Sequence, residues 1–61
     1  MSNLREKKIG NRFVTMATAE VNGEPIFFVF VGLLLAAYCY DVVSADNIFD
    51  DTCSRVERGR L

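Results

Sequence analysis

The fifteen residues from Ile26 to Tyr40 carry no charged side chain, in a chain of only 61. As a helix rising 1.5 Å per residue, such a run covers roughly 22 Å, short of the ~30 Å hydrocarbon core of a bilayer. Extension to Ala45 gives 20 residues with one carboxylate, Asp41, about a turn from the end. An aspartate placed there reaches the headgroups at less cost than one at the bilayer centre. Tyr38 and Tyr40 precede it, where an interfacial aromatic belt belongs. At the other end Asn22-Gly23-Glu24-Pro25 reads as a turn followed by a helix start. Proline suits the first helical turn, and Glu24 lies near the positive end of the helix dipole. Glu24, Tyr38, Tyr40 and Asp41 are therefore the candidate membrane-interface residues.

The expected fold is all-α: a single transmembrane helix over about 25–45, an amphipathic basic arm over 1–24 and a charged tail over 46–61. Lys and Arg near the span ends set orientation. Arg5, Lys7, Lys8 and Arg12 precede the run, whereas Arg55, Arg58 and Arg60 follow it at a distance, behind Asp46, Asp50 and Asp51. This bias puts the N-terminus inside and the C-terminus outside. In the arm, Ile9, Phe13 and Met16 share a helical face beside Arg5 and Arg12, as in a short surface helix. Met16 also begins a stretch that reads as a second start site.

On a helix of 100° per residue, Gly32, Ala36, Cys39 and Val43 fall on one side. Gly32 and Ala36 make a small-xxx-small pair, which lets another helix approach closely. In the tail, Phe49, Cys53 and Val56 recur at i, i+4, i+7 and form an apolar stripe among charges. Three such side chains are too few to order a tail alone, so a partner is expected to bury them.

Three other fates compete for the run. "RFVTMATAEVNGEPIFFVFV" sets Asn-Gly between two β-rich stretches, a hairpin signal. Pro25 weakens it, since proline suits only an edge or a strand start. Val43-Ser44-Ala45 resembles a signal-peptide cleavage site, but the segment before the apolar run is long and holds three acids. The third is a helix buried in an obligate complex.

Composition narrows the chemistry. The chain has no histidine and two cysteines. Histidine is the usual general base and the commonest zinc ligand, and two cysteines make no disulfide framework. Asp46, Asp50 and Asp51 lack the glycine and terminal glutamate of an EF-hand loop. The expectation is no catalytic residue, no metal, no cofactor of its own and no small-molecule substrate. A net charge of −1 gives no pull toward nucleic acid.

The function these features suggest is a non-catalytic, single-pass accessory subunit. Its partners would be the lipid bilayer and a larger membrane protein complex, on whose periphery it packs to stabilise assembly. Respiratory and photosynthetic electron-transport assemblies collect such subunits. The alternatives are a small self-associating membrane effector and a soluble β-hairpin interaction module.

Overall fold

The computed structural model describes residues 2–61. It contains four strands and one helix: β1 (Ser2–Ile9), β2 (Arg12–Val21), β3 (Glu24–Val31), β4 (Leu34–Cys39) and α1 (Val42–Glu57). The strands form one antiparallel sheet in chain order, β1-β2-β3-β4, and the helix lies across one of its faces.

This overturns the all-α expectation and the transmembrane helix over 25–45. Among the described residues no helix is long and apolar enough to cross a membrane. The uncharged run is two strands and a turn. Phe27, Phe28, Val29, Phe30 and Val31 are aromatic or β-branched and suit a pleated surface. Gly32, at φ +61°, then turns the chain back before a long helix can form. With the helix go the single-pass topology, the inside–outside assignment and the peripheral membrane subunit. The segment boundaries expected at 24/25 and 45/46 fall at the start of β3 and inside α1.

The β2–β3 hairpin is the one signalled by its turn. Asn22 and Gly23 have φ of +52° and +80°, so both central residues are left-handed, as a type I′ turn requires. Pro25 sits second in β3, opposite Glu20, which is compatible with a strand start. The N-terminal arm is a hairpin as well. Ile9 and Met16 point to the helix side, while Phe13 points away, so the three do not share one face.

Period-2 alternation divides each strand between two faces. Toward the helix stand Val14 and Met16 of β2 and Val29 and Val31 of β3, which form the core with Ala45, Phe49, Cys53 and Val56 of α1. The apolar stripe of the tail is thus buried by the chain's own sheet and not by a partner. Asp41 caps the helix: its Oδ1 accepts from the Ser44 backbone N–H at 2.8 Å. This bond, with help from the Ser44 hydroxyl, holds the Asp41 carboxyl below its ordinary 3.8. At the other end Arg60 N–H donates to Arg55 O and Gly59 N–H to Val56 O, a Schellman closure with Gly59 at φ +71°.

Charges on β1 clamp the helix from the side. Arg5 reaches Asp46 at 3.3 Å and Asp50 at 3.4 Å, and its guanidinium lies 4.3 Å from the Phe49 ring centroid. Lys7 reaches Glu57 at 3.5 Å. All of these groups are partly exposed, so each pair contributes no more than about 1 kcal/mol.

Candidate interaction surface

The opposite face of the sheet has no helix on it. Its residues follow from the register. Glu6 pairs with Thr15, Thr15 with Phe30, and Phe30 with Leu35. The next row is Asn3, Ala17, Phe28 and Tyr38. Ala19 and Ile26 continue it, and Lys8 and Phe13 stand at the other end.

Relief on this face is uneven. β3 contributes a ridge of large side chains, Ile26, Phe28 and Phe30. β2, its neighbour, contributes Thr15, Ala17 and Ala19, all small. The result is a trough of about 230 Å³ beside the ridge, lined by Asn3, Thr15, Ala17, Phe30, Gly32 and Leu33. The aromatic rings form a continuous cluster. Phe28 lies 6.2 Å from Phe30 and 6.4 Å from Tyr38, and Tyr38 meets Tyr40 edge-on at 6.2 Å. Such tilted and edge-to-face pairs are the favoured arrangements. Phe13 (43% exposed), Leu35 (46%) and Tyr38 (56%) remain open to solvent.

Charge on this face stands at two places, on β1 at Glu6 and Lys8 and at the β2–β3 turn, where Glu24 opens β3. Glu6 accepts from the Thr15 hydroxyl at 3.5 Å, and the Lys8 ammonium lies 5.8 Å from the Phe13 ring. Between Glu24 and the far end of β3, and along β4, this face holds no charged residue. A bulge at Ala36 shifts β4 by one residue and keeps both Leu35 and Tyr38 on the open face.

The residues singled out from the sequence are scattered. Gly32 is in the β3–β4 turn, Ala36 is the bulge, Cys39 faces the helix and Val43 is in the first turn of α1. They do not form a stripe on one helix. Glu24 opens β3, Tyr38 is on the open face, Tyr40 lies in the β4–α1 link, and Asp41 is the helix cap. Phe49, Cys53 and Val56 share the buried face of α1. Burial pushes the Cys53 thiol above its ordinary 9.0, so it stays a neutral packing group.

The aromatic face itself was missed. Phe13, Phe28, Phe30, Leu35 and Ala17 become neighbours only through strand pairing. The alternation around Asn22-Gly23 held the signal that would have found them.

A second hollow, about 450 Å³, lies between β4 and the helix and is bordered by Leu34, Ala37, Ile48, Thr52, Arg55 and Leu61. Asp51 and Arg55 at its rim pair with each other at 2.9 Å. Among the described residues no three His, Cys, Asp or Glu side chains gather closely enough to hold a metal ion. No protein-family model, curated protein or solved structure matches the chain.

Proposed function

We propose that this chain is a non-catalytic interaction module that works by burying the open face of its sheet against another protein surface. The observation that carries the reading is the uncovered aromatic ridge Phe28–Phe30–Tyr38 on an otherwise packed sheet. A monomer rarely displays a contiguous apolar surface of this size without using it. Aromatic side chains are also the residues that anchor interfaces.

The charges support the same reading. Arg5 and Lys7, which a nucleic-acid binder would present to phosphates, are engaged with Asp46, Asp50 and Glu57 on the helix. Glu6 and Lys8 flank the apolar region as a mixed-sign rim, where charges set register more than affinity. The face carries neither histidine nor cysteine, and its Glu6 carboxylate is engaged with the Thr15 hydroxyl.

A photo-reactive phenylalanine analogue tests the reading when placed at Phe28 and, as a control, at the exposed Ser54 of α1. Irradiation in cells is expected to give a discrete protein adduct from position 28 and none from position 54. Equal, diffuse labelling from both positions would contradict it.

A further inference from the structure

The relief of the open face is complementary to itself, and from it we infer that the occupant is a second copy of this chain, packed sheet to sheet. This rests on the reading of the face as an interaction surface and names the partner. Three observations carry it.

The first is shape. The large row, Ile26, Phe28 and Phe30, is immediately beside the small row, Thr15, Ala17 and Ala19. A two-fold axis lying between β2 and β3, parallel to the strands, places each copy's β3 over the other's β2. Ridge then fills trough twice, once in each direction. This is what an isologous interface demands, since one patch must serve as both surfaces. The same operation sets β4 over β1, so that Leu35 meets the side-chain stem of Glu6 and Tyr38 meets Asn3. The strands of the two sheets run nearly parallel, within the ~30° offset usual for aligned sheet packing.

The second is area. Four strands about 4.8 Å apart and six to ten residues long present a plan of roughly 400–600 Å². Side-chain relief raises the accessible area above the plan value. Two such faces together remove on the order of 1,000–1,400 Å² from water, which reaches the lower end of specific protein–protein interfaces.

The third is size. A fold of this size buries about 60% of its unfolded surface, less than larger domains do, and the core here consists of one sheet face and one helix face. No disulfide supplements it, as both cysteines are free. Oligomerisation is one common device for so small a fold. The symmetric pairing converts the exposed sheet face into a second core layer.

Sedimentation equilibrium of the full chain tests the inference. The expected result is a species of twice 6.9 kDa with a dissociation constant on the order of micromolar. Phe28→Asp and Leu35→Lys should each weaken dimerisation at least tenfold while the helical circular dichroism persists. Leu34→Lys is the control, because Leu34 is 67% exposed at the β4 edge on the helix side and lies outside the proposed contact.

A mixed sample of isotope-labelled and unlabelled chain locates the contact without any variant. Filtered nuclear Overhauser effects are expected between Phe28 or Phe30 ring protons of one copy and Thr15 or Ala19 methyls of the other. A monomer at every concentration overturns the inference. So does a dimer whose only intermolecular effects involve Leu34 and the β4 edge. A monomer that still gives a discrete adduct to another protein from position 28 removes the second copy but keeps the interaction module. A monomer with no such adduct removes both.

Discussion

The two faces of the sheet are built from alternate residues of the same strands, yet they differ in kind. The helix side takes compact residues, Val14, Met16, Val29 and Val31, and seals them under Phe49, Cys53 and Val56. Around its border Arg5 and Lys7 reach acids on α1. The open side takes Phe13, Phe28, Phe30 and Tyr38 and places nothing over them. Its own charges, Glu6 and Lys8, touch neighbouring strands instead of a covering element. The covered face is complete within one chain, and the open face is complete only with another surface. Substitutions on the two faces should therefore affect different observables.

The largest effect is expected on the covered face. Phe49 is 1% exposed and sits at the centre of the helix–sheet contact. Phe49→Ala should destabilise folding by about 3–5 kcal/mol, enough to unfold much of a domain this small. Denaturant titration followed by circular dichroism measures it. An effect below about 1 kcal/mol would mean that the helix does not hold the sheet.

Phe28→Ala should have a smaller effect on the single chain, about 1 kcal/mol, because the ring is only half-buried there. Its larger consequence is on association. The thermal midpoint of the native chain should rise with protein concentration, and that dependence should disappear in the variant.

Arg5→Ala comes next. It removes two exposed ion pairs and the contact with the Phe49 ring, worth roughly 1 kcal/mol together, with the ionic share declining at high salt. Paired denaturation curves at low and high ionic strength separate the two contributions.

The smallest effect is expected at the helix cap. The Asp41 carboxyl has a lowered folded pKa, so its contribution is present above the unfolded value. It is lost as pH falls through the still lower folded value. Asp41→Asn keeps an acceptor for the Ser44 N–H and should flatten the acid limb of the stability curve below pH 3.8 relative to the native chain. Acid titrations of both chains monitor the helix directly.

How far the fold could be read in advance also divides by region. The Asn22-Gly23 hairpin was legible because its two residues are among the few that accept left-handed φ together. The helix stripe Phe49, Cys53, Val56 was legible too, but its partner was not. A stripe shows which face is buried, not what buries it. The uncharged run misled for a physical reason. β3 is apolar on both sides, since one side faces the core and the other belongs to the open surface. β4 is apolar as well, so neither strand shows the polar alternation of a half-solvated sheet. Fifteen such residues then look like a short helix. Gly32, read as part of a helix-contact stripe, is the turn that divides the run. The open face itself was hidden because Phe13, Phe28 and Leu35 are far apart along the chain and meet only across paired strands.

Carbene footprinting compares the two faces in the native chain without any substitution. A small diazirine reagent labels exposed side chains on irradiation, and mass spectrometry reads the modified residues. As protein concentration rises through the association range, labelling of Phe28, Phe30 and Tyr38 should fall several-fold. Labelling of Leu34 and Val43, exposed and outside the face, should stay constant, and Phe49 and Val29 should remain unlabelled throughout. Labelling of Phe28, Phe30 and Tyr38 that is the same at every concentration would contradict the claim that this face is buried by a second copy.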